Sequence, residues 1–326
     1  MNPRVRSAVR SGALFFGALL FALAAAELIV RVAIPVRNVG PTFSEYDPVY
    51  GKRLKRSFHC TRTAAEFTME FSTNSLGFRG PEPGGFPSGG ILFLGDSFTS
   101  GYGVNDGEEF PELVRRRLSA EADPVPVVNA GSGNIGNGYW LRFLQNEGKR
   151  FSPRLVVLGF CVNDFADNLV DHLYELGPDG TLISLHEPPR QGGARKIQEL
   201  IEAVPVLPYS HLIGLARQVF SESSSGVSVE DTTSDRLTWA IIEEVFAECD
   251  RQGLPAVMVT IGVDGTRLAG LRSMAARHRT PVVVAPSKDE RPDLYYRVDG
   301  HWNSAGHVFV AREILQPIAH TMKGPR

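Results

Sequence analysis

From residue 91 onward the chain alternates short runs of consecutive apolar residues with longer stretches in which apolar positions recur every three or four residues. The short runs suit strands covered on both faces, and the longer stretches suit amphipathic helices. The strands predicted this way are residues 91–94, 126–129, 155–158, 256–261 and 281–284. Helices are predicted between them, among them residues 108–122, with Pro111 in the first turn, and 234–252, stopped by Gly253. Strand and helix in regular alternation predict an α/β domain over residues 91–326, built on a parallel sheet with helices on both faces.

Two regions break this rhythm. Residues 36–90 carry turn signals and strand-like alternation, as in Phe67-Thr68-Met69-Glu70-Phe71, followed by a turn at Asn74-Ser75-Leu76-Gly77-Phe78-Arg79-Gly80. With three prolines and four glycines, residues 81–90 read as a linker, so 36–90 is expected to be a small β extension. Residues 177–234 hold prolines, a Gly-Gly pair and a Ser-rich run. They read as an insertion with short helices of its own, a place for substrate selection.

The first 35 residues read as a membrane anchor or signal segment. Arg4, Arg6 and Arg10 precede an uncharged, mostly apolar stretch over residues 11–26, which Leu28-Ile29-Val30 extends past Glu27 as far as Arg31. Cations ahead of the span predict a cytoplasmic amino terminus and an extracytoplasmic folded part. The stretch is near the length that crosses a bilayer, and Ala24-Ala25-Ala26 would also serve as a cleavage site, which would make the product secreted.

Composition narrows the function. The 326 residues are 43% hydrophobic, enough for one sizeable core and an appendage. A net charge of -2 and the lack of a basic stripe argue against a nucleic-acid partner, since Arg115, Arg116 and Arg117 fall on a predicted helix face. Cys60, Cys161 and Cys249 form neither a metal-spaced cluster nor an even disulfide framework.

The chemistry concentrates at strand ends. Gly95-Asp96-Ser97 follows the first strand, where a turn into a helix exposes a hydroxyl at the carboxyl edge of the sheet. An unactivated hydroxyl needs a base, and His301, with Asp299 beside it to hold its tautomer, is the candidate. Donors for an oxyanion can come from the Gly131-Ser132-Gly133-Asn134 loop or from the Asn163 amide. Asp96 is expected to brace the turn, and Arg79 to join the β extension to the core, the alternative being that Arg79 binds an anionic group of the substrate. A metal site of Asp299, His301 and His307 is the competing reading of that late cluster; His307, shortly after a helix cap at Asn303, also suits a place over a helix start.

The blocks Gly95-Asp96-Ser97, Gly131-Ser132-Gly133, Gly159 to Asp164 and Asp299 to His301 resemble the SGNH or GDSL hydrolase superfamily. The resemblance covers residues 91–320. It implies a three-layer α/β/α sandwich with a flavodoxin-like sheet, Ser97 as nucleophile, an oxyanion hole from Ser97, Gly133 and Asn163, and no metal or organic cofactor. The second block is shifted, which leaves Asn134 or Gly131 as alternatives to Gly133, and Trp302 stands where a proline more often follows the histidine. The Asn74 to Gly80 stretch, residues 163–168 and residues 299–307 are also similar to membrane-anchored cell-envelope members that remove or transfer acetyl groups on polysaccharides. The expected activity is therefore a serine esterase removing O-acyl groups from a glycan or envelope component. The alternatives are an acyltransferase using the same acyl-enzyme and an inactive glycan-binding protein of the same fold.

Overall fold

The computed structural model describes residues 3–36, 39–82, 88–121, 125–185, 188, 193–224 and 232–323. Residues 83–87 of the expected linker, 225–231 after the Ser-rich run, Ala122 and the side chains of Arg4 and Arg6 lie outside the described residues. In chain order the helices and strands are α1 (Pro3–Ala33), β1 (Ser44–Asp47), β2 (Gly51–Leu54), β3 (His59–Thr63), β4 (Thr68–Ser72), β5 (Ile91–Gly95), α2 (Ser97–Ser100), α3 (Phe110–Glu121) and β6 (Val127–Asn129). There follow α4 (Asn137–Phe143), continued by a π-turn (Leu144–Gly148), α5 (Lys149–Phe151), β7 (Leu155–Cys161), α6 (Asp164–Asp171), β8 (Tyr174–Leu176), β9 (Leu182–Ser184), α7 (Gly193–Glu202) and α8 (His211–Ser224). The chain ends with α9 (Thr232–Arg251), β10 (Ala256–Ile261), α10 (Gly265–Arg277), β11 (Val282–Val284) and α11 (Ser304–Lys323).

These elements form two compact units. The larger is built on a five-stranded sheet in the order β11-β10-β7-β5-β6, every pair parallel. Counted along the sheet-forming strands this is the 2-1-3-4-5 order of the flavodoxin-like fold, with its switch point beside β5. Alternation along the strands supplies both faces. Leu92, Leu94, Val156, Leu158 and Met258 meet Trp140, Ile242, Val245, Phe246 and Leu271 from α4, α9 and α10. Ile91, Phe93, Val157, Val257 and Val259 meet Phe110, Val114, Ile314 and Ile318 from α3 and α11. The expected parallel α/β fold with helices on both faces is the one observed. The extension contributes the antiparallel pair β1-β2 and the two-stranded sheet β3-β4.

The smaller unit gathers α1, residues 62–65 and the helices α7 and α8. Among the described residues one helix is long and apolar enough to cross a membrane, Arg10–Ala33, with mean hydropathy 2.4. Near its end, Glu27 caps α8 by accepting from the Ser210 hydroxyl at 2.7 Å and from the N–H groups of His211 at 2.8 Å and Leu212 at 3.0 Å. Val30, Val36 and Val39 pack with Leu212 and Leu215 beside this cap.

Candidate active site

Ser97 is placed by three close-approach glycines. β5 is buried throughout and ends at Gly95; Asp96 then caps α2 by accepting the Phe98 N–H at 2.9 Å. The helix turns at once because Thr99 sits flat on the sheet, over the register pair Gly95↔Gly159. A Cβ on Gly95 would lie 2.0 Å from the Thr99 Oγ1, and one on Gly159 would lie 2.3 Å from it. From the side, a Cβ on Gly131 would come within 2.5 Å of the Ser100 nitrogen. No side chain fits at any of the three, so α2 rests on bare backbone and Ser97 heads it at the carboxyl edge of the sheet.

Asp299 and His301 come from a tight loop between Leu294 and α11. The Tyr296 N–H donates to the His301 carbonyl at 2.8 Å, and the Asn303 N–H to the Leu294 carbonyl at 3.0 Å. Trp302, 1% exposed, roots the loop in the core against Phe98 and Phe110. Gly300 at φ 88° takes the left-handed turn that brings the two flanking side chains together. His301 Nδ1 then lies 2.6 Å from Asp299 Oδ1, and His301 Nε2 lies 2.8 Å from Ser97 Oγ. The imidazole is flanked by the rings of Phe98 at 4.8 Å and Tyr102 at 4.9 Å, which restrict its tilt.

One carboxylate that sequence reasoning passed over holds this loop. Glu66 accepts from the backbone N–H groups of Arg297 at 3.0 Å, Val298 at 2.6 Å and Asp299 at 2.9 Å. Burial opposes its charge, but the three donors and Arg297 outweigh that and hold the carboxyl below its ordinary range. The adjacent Phe67 packs its ring at a tilt against that of Tyr296, centroids 4.7 Å apart, and the Tyr296 hydroxyl donates to the Gly103 carbonyl at 2.8 Å. Glu66→Gln, which keeps the shape but gives up the charge and one acceptor, is expected to lower kcat by about ten-fold with little change in KM, because the Asp299-His301 pair loses its fixed position. Steady-state kinetics check this, and an unchanged kcat would reduce Glu66 to a surface contact.

The glycine loop after β6 contains the three candidate donors, and the structure separates them. Gly133 is beside Ser97, since a Cβ there would sit 3.6 Å from the Ser97 Cβ. Gly131 is taken up by packing under α2, and Asn134 adopts φ 52° with its carbonyl 3.3 Å from Lys52 Nζ. Lys52, from β2, also holds the Gly133 carbonyl. Burial pulls its ammonium below the usual lysine range, against the opposing pull of Asp171 and Asp167. Asn163 precedes α6 and donates to Asp167 Oδ2 at 2.7 Å, leaving a second amide N–H.

Asp171, at the end of α6, accepts the Gly136 N–H at 2.7 Å. Burial pushes its carboxyl up to about 7, although the Gly136 N–H and Lys52 pull the other way. A group raised on folding from 3.8 to about 7 contributes stability that is complete below the lower value and is lost as pH rises through the upper one. Stability is therefore expected to fall by about 2.5 kcal/mol between about pH 5 and about pH 8 through this group, and Asp171→Asn to remove that slope. Urea midpoints across the range measure it, and equal slopes in both proteins would refute it.

The remaining candidates have structural surroundings. His307 is fully buried, its Nδ1 accepts the Phe110 N–H at the start of α3 at 3.3 Å, and burial, with Arg79 and His301 adding to it, drives its pKa down to about 3. It is a neutral helix-start acceptor. Asn303 caps α11 through the Gly306 N–H at 3.1 Å. Arg79, buried completely, donates to the Ser100 carbonyl at 3.0 Å and the Val104 carbonyl at 2.6 Å, meets Asp106 at 3.1 Å and lies over the Phe71 ring. It therefore ties the extension to the loop after α2. Asp164 accepts from the Asn137 amide at 2.7 Å and the Cys161 N–H at 3.1 Å, and burial raises its pKa. The three cysteines are buried thiols outside any disulfide. Among the described residues no group of three or more His, Cys, Asp or Glu is arranged to hold a metal ion.

An open parallel α/β domain whose serine, histidine and aspartate meet at the carboxyl edge of the sheet has the architecture of a serine hydrolase. The chain belongs to the GDSL-like Lipase/Acylhydrolase family, whose model matches residues 93–308, and so to the ester hydrolases. No curated protein matches the chain. Among solved structures it is similar to the psychrotrophic esterase EstA from Pseudoalteromonas sp., inhibited by monoethylphosphonate, at 12% identity, covering 73% of this chain and 100% of that one with a TM-score of 0.44. It is also similar to the lipase/acylhydrolase from Enterococcus faecalis, at 17% identity, covering 73% and 99% of the two chains with a TM-score of 0.41.

Proposed function

We propose that this esterase acts outside the cytoplasm, held to the membrane by α1, and removes O-acyl groups, acetyl above all, from a glycan or another envelope component. The reading of the site rests on one observation, the continuous relay from Ser97 Oγ through His301 to Asp299 at 2.8 and 2.6 Å. His301 takes the Ser97 proton at Nε2 as Oγ adds to the acyl carbon, and Asp299 steadies the imidazolium that forms. The N–H groups of Ser97 and Gly133 and the free Asn163 amide hydrogen receive the oxyanion. Collapse breaks the ester C–O bond, with the His301 proton passing to the leaving alcohol. Water, deprotonated by His301, then releases the acid and restores the Ser97 hydroxyl.

Support for the location comes from Arg10 and the more amino-terminal arginines ahead of the apolar helix, because cationic flanks stay on the cytoplasmic side. Support for the substrate comes from the resemblance of residues 74–80, 163–168 and 299–307 to envelope polysaccharide enzymes. The test is to incubate the full-length protein in detergent with acetylated polysaccharides and with small acyl esters. Acetate released from polysaccharide in preference to small esters supports the reading. Acetyl groups moved onto an added sugar instead of water would replace it with the transferase, and hydrolysis of small esters alone would remove the glycan.

A further inference from the structure

We infer that the insertion carries a second membrane contact: the exposed apolar face of α7 and of the segment after it lies in the interface of the bilayer that α1 crosses. This rests on the anchored reading of α1, and all the residues involved belong to the smaller unit.

The face is too apolar to be ordinary surface. Ile197 and Leu200, on one side of α7, are 61% and 71% exposed, and residues 203–206, Ala-Val-Pro-Val, are all exposed, with Val206 at 72%. Four consecutive exposed apolar residues next to an exposed helix face form a patch of the kind that soluble surfaces avoid unless it is used.

The fold also fixes how deep this patch sits. At about 1.5 Å per residue, Glu27 is roughly 25 Å along α1 from Arg10, close to the far edge of a hydrocarbon layer about 30 Å thick. Glu27 is also the cap of α8, bonded to Ser210, His211 and Leu212. The start of α8 is therefore pinned at the outer boundary of the hydrocarbon, and the turn Leu207–Tyr209, which leads into α8 and touches α7, cannot be far from it. Ile197, Leu200 and residues 203–206 reach the same level with their apolar side chains exposed, and Lys196 and Glu199 are exposed beside them, the mixture of an interfacial segment. The bilayer is thus the occupant that the geometry brings to the patch.

The native thiols are buried, so a single introduced cysteine takes a label selectively. Full-length Leu200→Cys, labelled with an environment-sensitive fluorophore, is reconstituted into phosphatidylcholine and phosphatidylglycerol vesicles, with Ser273→Cys on α10 as the water-exposed control. The expected result is a blue shift at position 200 and loss of emission with lipids brominated near the headgroup, with no loss at position 273. Emission at 200 that is indifferent to brominated lipid, in protein that survives a carbonate wash, overturns the inference and leaves the anchor intact. A blue shift without lipid quenching that grows with protein density assigns the patch to a second copy and also overturns it. Release of the protein by carbonate, with mass spectrometry showing cleavage after Ala26, removes both the anchor and the inference.

Discussion

Ser97→Ala is expected to lower the turnover of an activated acyl ester by roughly four orders of magnitude or more, leaving only what binding and oxyanion donors supply. The fold should be untouched. Among the described residues Ser97 makes no side-chain bond to the core beyond its contact with His301, and the cap of α2 belongs to Asp96. Circular dichroism and the urea midpoint should match the wild type while kcat collapses. A variant that kept more than a few per cent of the wild-type rate would send the search to another nucleophile.

Gly159→Ala is expected to lower turnover on the order of a hundred-fold, although the residue touches no substrate. Its new methyl would overlap the Thr99 hydroxyl at 2.3 Å, and the cheapest relief is to lift α2, which carries Ser97 away from His301. A displacement of about 1 Å costs on the order of a hundred-fold in rate. The second-site test is specific. Thr99→Ala removes the hydroxyl and leaves the Thr99 Cβ 3.7 Å from the new methyl, an ordinary contact, so it should restore much of the rate to Gly159→Ala. It should not restore Gly95→Ala, where the Cβ itself is only 2.6 Å away. Rescue of both, or of neither, would mean that α2 is not seated by the Gly95↔Gly159 pair.

The same pair explains why the sequence yields some features and hides others. The five strands were legible because buried parallel strands are uniformly apolar, and Ala256–Ile261 was legible to the residue. β7 runs on to Cys161, past the expected end at residue 158, because Gly159 looks like a strand stop in sequence whereas here it is a paired strand residue that makes room for Thr99. Pro126 and Pro281 stand just outside β6 and β11, yet each lends its carbonyl to the neighbouring strand, at 2.9 Å to the Ile91 N–H and 2.8 Å to the Met258 N–H. Helix α3 begins at Phe110 rather than residue 108.

Ser97, Asp299 and His301 announce themselves because local spacing alone builds their turns. Glu66 and Lys52 do not, because each acts on backbone groups of a distant loop, Glu66 on Asp299 across 233 residues and Lys52 on Gly133 across 81. Backbone acceptors and donors leave no residue-type signature at the receiving end. The union of α8 with α1 was hidden for the same reason, since it runs through the backbone N–H groups that Glu27 caps.

The most direct test of the central claim is to treat the full-length protein with a fluorophosphonate and map the adduct by peptide mass spectrometry, in the wild type and in His301→Ala. A serine activated by the His301-Asp299 relay should give one adduct, on Ser97, formed in step with the loss of ester hydrolysis and slowed severely by His301→Ala. An adduct on another residue, or labelling of Ser97 at the same rate without His301, would contradict it.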